Sequence, residues 1–100
     1  MAGGASVYLV RCSDGSLYCG FAHDVFARVD AHNAGRGARY TRSRLPVALR
    51  WYWHCHSAED ARRLEGLLKR LPRADKLEVI GNGPRVLGPL LMEVARRRRR

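Results

Sequence analysis

Ser13-Asp14-Gly15 separates two short apolar runs, Val7 to Cys12 and Leu17 to Phe21, and this punctuation commits the start of the chain to a β-hairpin. The turn type then decides which side chains share a face. A two-residue Asp14-Gly15 turn would pair Cys12 with Leu17 and send Tyr8 and Tyr18 to opposite faces. A three-residue loop with Gly15 left-handed, forming a bulge, pairs Cys12 with Ser16 and Val10 with Tyr18. The two phenols then become diagonal neighbours on one face, roughly 7–8 Å apart by backbone spacing. The second register is expected, and pairing of Cys12 with Leu17 would refute it.

Asp24 is a good N-cap for a helix from about Val25 to Asn33, stopped by Ala34-Gly35. Arg28 and His32 stand one turn apart on it, beside Val25 and Val29, at the margin of the buried stripe. Residues 34–46 form a basic, glycine-containing loop around Tyr40. Val47 to Cys55 reads as a third strand, with Val47, Leu49, Trp51, Trp53 and Cys55 alternating inward and both tryptophans in the core. Ser57-Ala58-Glu59-Asp60 resembles a capping box opening a helix to about Arg70. Glu65 lines up with Ala61 and Leu68 at the border of its apolar stripe. Pro72 opens a short helix to about Ile80, and Val86 to Ala95 forms a last apolar helix after the Gly81–Pro84 break. The expected organisation is an N-terminal extension over 1–5, one domain over 6–80, a helix packed on it over 81–95, and a disordered basic tail over 96–100.

One hundred residues suffice for one modest core. Nineteen Lys+Arg against nine Asp+Glu give a formal net charge of +10, which favours a polyanionic partner, nucleic acid ahead of a membrane surface. The three cysteines, Cys12, Cys19 and Cys55, show no CxxC spacing, so buried thiols are expected rather than a disulfide scaffold or a zinc site. His54 and His56 share a strand face but lack a third ligand. With no secretion signal and no bilayer-length apolar run, a cytoplasmic location and no membrane partner are expected.

Tyr8, Tyr18, Arg28, His32 and Glu65 together are the groups needed to attack a phosphodiester. They provide a proton acceptor, a cation for the phosphoryl oxygens and a ligand for one divalent metal. Arg36, Arg39, Arg42 and Arg44, with Tyr40 among them, suit a grip on backbone phosphates that reads no bases. Val7-Tyr8-Leu9, Tyr18-Cys19-Gly20, the helix ending in His32-Asn33, the loop Gly37 to Arg42, Pro46, and Glu65 with Lys69-Arg70-Leu71 follow one another in a set order. That order resembles the GIY-YIG nuclease domain, and most of all its small stand-alone bacterial branch.

The resemblance implies an α/β (α+β) fold, a small three-stranded antiparallel sheet flanked by helices in β-β-α-β-α-α order. It implies a metal-dependent DNA endonuclease using one Mg2+ or Mn2+. A single carboxylate holds such an ion weakly, and with no appended recognition domain low sequence specificity is expected, with repair-related or structure-directed cutting. By position, Glu65 would be the metal ligand and Arg28 would face the scissile phosphate. Tyr8 and Tyr18 would orient and deprotonate the water, and His32 would hydrogen-bond a tyrosine or accept its proton. Cys19 would point away from the site, and Asn82 is the one late asparagine. The expected substrate is DNA, branched or single-stranded, with RNA left open and a protein partner as a source of specificity. The competing readings are a nucleic-acid-binding module that cuts poorly or not at all, and a nuclease subunit that needs its partner.

Overall fold

The structure is a computed structural model and describes residues 4–98. Strands β1 (Ala5–Arg11) and β2 (Leu17–Ala22) form the hairpin, followed by α1 (Val25–Asn33), a single-turn α2 (Arg39–Arg42) and β3 (Ala48–Cys55). Three helices complete the chain: α3 (Ala58–Lys69), α4 (Arg73–Ile80) and α5 (Pro84–Arg98). The sheet is antiparallel with order β2-β1-β3, so β1 is central and Tyr8 sits in its middle.

The hairpin takes the bulged register. Val10 lies opposite Tyr18, and the Cys12 amide donates to the Ser16 carbonyl at 2.8 Å. Gly15 has φ +85°, the left-handed conformation that this loop requires and that glycine adopts without steric cost. The Asp14 carboxylate accepts from the Ser16 hydroxyl at 2.6 Å and the Ser16 amide at 3.0 Å, which hold it below the usual carboxylate range.

Alternation along β1 feeds two cores. Ala5, Val7 and Leu9 face α3, α4 and α5, where Ala61, Leu64, Leu68, Val79, Val86 and Val94 are buried against them. Tyr8, Val10 and Cys12 face the opposite way, against Val25 and Val47, with Val29 half-buried beside them. In β3 the expected alternation breaks. Leu9 faces Trp51 but Val10 faces Leu49, so Arg50 is the extra residue of a bulge. Val47 and Leu49 therefore pack in the α1 layer, whereas Trp51 and Cys55 pack in the α3–α5 layer. Trp53 stacks on Trp51, with ring centroids 6.3 Å apart, and is 37% exposed; it is a rim residue rather than core.

Asp24 caps α1 through the Ala27 amide at 3.1 Å, and Ser57 caps α3 through the Asp60 amide at 3.1 Å. Ala5, placed by sequence in the extension, is the first residue of β1 and buried. The loop over 34–46 contains α2. The last helix outruns its expected span at both ends, starting at Pro84 and continuing to Arg98. Glu93 pairs with Arg96 and, at 3.0 Å, with Arg97, so helical spacing offsets part of the charge run expected to be disordered. Residues 99–100 of that run lie outside the described residues. Asn82 occupies a left-handed turn position, φ 61°, and its side-chain oxygen accepts from the Trp51 indole at 3.2 Å, a packing role in the α3–α5 layer.

Candidate active site

Tyr8 is 1% exposed, and its phenol runs across the sheet toward β2 and α1. Gly20 lies directly opposite, and a Cβ there would come within 2.5 Å of the Tyr8 hydroxyl. Glycine at this position is therefore the space into which the phenol fits. His32, fully buried on α1, meets that hydroxyl through Nε2 at 2.8 Å. Its Nδ1 lies 2.8 Å from the hydroxyl of buried Thr41 and receives the Ala38 amide at 3.3 Å. The Thr41 hydroxyl also lies 2.9 Å from the Ala38 carbonyl oxygen, which already accepts from the amides of Thr41 and Arg42.

The ring nitrogens thus bridge the Tyr8 phenol and the Ala38–Thr41 turn, which holds the imidazole in place in either tautomer. The hydrogen bond to a tyrosine, one of the two roles expected for His32, is present. Burial, and then the positive charge of Arg28, push His32 below its ordinary value and keep it neutral. The unfolded chain takes up a proton that the folded site rejects, so the contribution of His32 is present above about 6.5 and lost as pH falls below it. His32→Phe is expected to flatten the acid limb of a plot of melting temperature against pH; an unchanged limb would refute the assignment.

Arg28 extends from α1 close enough to hydrogen-bond the Tyr8 phenol. Burial nevertheless dominates, and Tyr8 is pushed up to about 12; the hydrogen bond and charge of Arg28 oppose the shift, while Tyr18 and Cys19 add to it. Tyr18 is half-buried, with its ring centroid 6.5 Å from Tyr8 and 5.5 Å from His32. Tyr40 stacks on Tyr18 at 5.9 Å. Tyr8 is thus the organising phenol and Tyr18 the one that solvent reaches.

The loop arginines divide. Arg36, Arg39 and Arg42 are exposed. Arg44, expected on phosphate, is committed to the fold. Its guanidinium lies 3.8 Å from the Tyr40 ring centroid, pairs with Asp14 at 3.0 Å and donates to the Tyr40 carbonyl at 2.8 Å. Asn33 likewise serves structure, exchanging hydrogen bonds with the Val47 backbone at 2.7 and 3.0 Å and so fastening the end of α1 to the entry of β3.

Glu65 belongs to the other layer, close to Cys19. It projects from α3 with its side chain 17% exposed, and its carboxylate lies 3.3 Å from the Lys69 ammonium. It does not point into bulk solvent. Burial pulls Lys69 downward, but the charge of Glu65, its hydrogen bond, and then Tyr18 and Cys19 outweigh this and leave it raised, so Lys69 sits within the electrostatic reach of Tyr18. Cys19 faces α3, away from the phenols, and is pushed up to about 12 by burial and then by Glu65. Tyr18, Tyr40, Lys69 and Lys76 border a cleft of about 260 Å³. Gly20, Gly37, Thr41 and Lys69 enter the sequence pattern only as parts of the family order, and Lys76 not at all. A glycine inside strand β2 was the one usable signal, since such a glycine often marks a close approach.

Among the described residues, no three His, Cys, Asp or Glu side chains gather to hold a metal. His54 instead hydrogen-bonds the Ser6 hydroxyl at 3.1 Å. The donor set does fit a loosely held magnesium-type ion. A single, mostly covered carboxylate already faces a cation, and such an ion keeps most of its waters and completes its shell with substrate oxygens.

Residues 4–78 match the family description of the GIY-YIG catalytic domain. The chain belongs to the GIY-YIG family. GIY-YIG domains are nuclease domains, with nucleic acid as substrate class and a divalent metal as the usual cofactor. UPF0213 protein SAG0778 of Streptococcus agalactiae is 46% identical over 76 residues, covering 76% of this chain and 86% of its own length. A UPF0213 protein of Staphylococcus aureus is 47% identical over 74 residues, covering 74% and 90% respectively. The solution NMR structure of UPF0213 protein BH0048 from Bacillus halodurans superposes with a TM-score of 0.53 at 39% identity, over 83% of this chain and 90% of that one. The GIY-YIG sheet and its flanking helices are therefore shared with a solved relative. No helix among the described residues is long and apolar enough to cross a membrane.

Proposed function

We propose that this GIY-YIG protein is a metal-dependent endonuclease that hydrolyses DNA phosphodiester bonds with low sequence specificity. The observation that carries the reading is the buried hydrogen bond between Tyr8 and His32, 2.8 Å, with Tyr18, Tyr40 and Arg28 gathered around it. A fully buried histidine, oriented by Thr41 and the Ala38 amide and aimed at a buried phenol, is a preorganised polar network.

In this reading Arg28 presents two parallel donors to the phosphoryl oxygens. Tyr18, at the cleft, orients the attacking water and takes its proton. Tyr8, fixed by His32 and Arg28, holds Tyr18 and the guanidinium in register. Glu65 would hold one Mg2+ or Mn2+, which supplies charge stabilisation to the phosphoryl group when bound. Phosphoryl transfer leaves little covalent work to a protein, so positioning of this kind is most of the catalysis. The exposed Arg36, Arg39 and Arg42 contact backbone phosphates, which positions a strand without reading its bases. Structure-directed or repair-related DNA and a cytoplasmic setting complete the proposal; the buried thiols of Cys12, Cys19 and Cys55 suit a reducing compartment.

The binding-module reading has one observation on its side, since Glu65 is already engaged by Lys69. Supercoiled plasmid, branched DNA and single-stranded DNA, each with Mg2+ or with EDTA, separate the two. The wild type is expected to cut only with metal, and Glu65→Ala to lose about 10²-fold or more in turnover. Binding with no metal-dependent product would select the module. Cleavage undiminished in Glu65→Ala would remove the metal role assigned to that residue.

A further inference from the structure

We infer that Lys69 is an exchangeable counter-cation. Its ammonium occupies the Glu65 carboxylate in the free protein, and a divalent ion displaces it toward Lys76 and the substrate phosphate beside Tyr18. The inference rests on the reading of Glu65 as the metal ligand. The ammonium is already 3.3 Å from one carboxylate oxygen, and its charge repels a second cation brought to the same group.

The asymmetry of the pair matters. Glu65 is 17% exposed and held in place on α3, whereas Lys69 is 52% exposed at the end of a flexible four-carbon stem. Arg63 and Glu59 have the same i,i+4 spacing on the same helix, but there the carboxylate is 73% exposed, an ordinary solvated pair. The Lys69 side of the helix borders the cleft beside Tyr18. Lys69 from α3 and Lys76 from α4 border one cleft with Tyr18 and Tyr40, opposite in origin to Arg28 on α1. An ammonium released from Glu65 remains in that cleft, where a phosphate is its natural partner. Metal and nucleic acid then help each other to bind, because each receives a charge the other frees.

The test uses the full chain and two probes. Mn2+ is titrated without nucleic acid and the free ion read by electron paramagnetic resonance. A single-stranded oligonucleotide is titrated in EDTA at several salt concentrations. Lys69→Met is expected to bind Mn2+ about three- to tenfold more tightly, since a competing, half-exposed ion pair is lost. The same variant is expected to bind the oligonucleotide more weakly, with its salt slope reduced by about one. Opposite signs in one variant are not produced by a merely structural role. Lys69→Gln, checked for folding by circular dichroism, should behave alike, and Lys69→Arg should stay near wild type for Mn2+. Arg70→Met removes the same charge one position along and should move Mn2+ affinity by less than about twofold. Unchanged Mn2+ affinity in Lys69→Met, with affinity lost in Glu65→Gln, overturns the exchange and leaves the nuclease reading intact. Mn2+ affinity unchanged in Glu65→Gln overturns both the exchange and the assignment of the metal to that carboxylate.

Discussion

Arg28→Ala is expected to lower turnover by about 10²-fold or more while leaving DNA affinity nearly intact. Two losses combine at the reacting centre. The forked donors facing the phosphoryl oxygens disappear, and so do the hydrogen bond and charge that oppose the upward shift of Tyr8. Binding suffers little because Arg28 is one of nineteen Lys+Arg residues, and a single phosphate contact changes the salt slope by only about one. Arg28→Lys retains the charge but not the planar fork, and should recover only part of the rate. Single-turnover cleavage of a labelled oligonucleotide, with affinity measured separately in EDTA, resolves the two quantities. A rate within about threefold of wild type for Arg28→Ala would contradict the placement of this guanidinium at the chemistry.

Gly37→Ala should be nearly as damaging from outside the catalytic set. A Cβ at Gly37 would come within 2.1 Å of His32 Nδ1 and 2.8 Å of His32 Cα. Neither atom can yield. The ring is fully buried between Tyr8 and Thr41, and the Cα belongs to α1. The loop must move instead, carrying Ala38 and Thr41 off the imidazole. Overpacking of this kind costs about 1–3 kcal/mol, and displacement of a positioned group by about 1 Å costs about 10²-fold in rate. Gly35→Ala is the informative comparison. Its φ of +80° makes alanine strained, yet nothing lies within 4 Å of the added carbon. Stability should fall by about 1 kcal/mol with turnover unchanged. Melting temperature and turnover measured on both variants decide the matter; equal turnover in the two would show that the loop does not orient His32.

Local features of the sequence carried most of the fold. The Asp14-Gly15 turn set the hairpin register, and with it the meeting of Tyr8 and Tyr18, because bulge geometry is a property of a few adjacent residues. Asp24 and Ser57 marked the starts of α1 and α3 by the same logic of short-range capping. What stayed hidden depends on distant partners. The bulge in β3 was invisible because Arg50, the extra residue, falls where the alternating pattern already calls for a polar side chain. Arg44 could not be told from Arg36, Arg39 and Arg42, since its engagement needs Asp14, thirty positions earlier in the chain, and the Tyr40 ring. Thr41 looked like an ordinary loop residue until α2 carried its hydroxyl to His32. The full run of α5 was missed because an arginine tract reads as mutual repulsion unless Glu93 is counted against it.

An outer strand that switches allegiance midway gives a stranger no straight ladder to zip onto. Past Arg50 the free edge of β3 twists and its hydrogen-bonding groups fall out of phase with those before it. A second molecule seeking to extend the sheet there could match only part of the strand. The irregularity that lets one strand supply side chains to both layers also guards the protein against edge-to-edge aggregation.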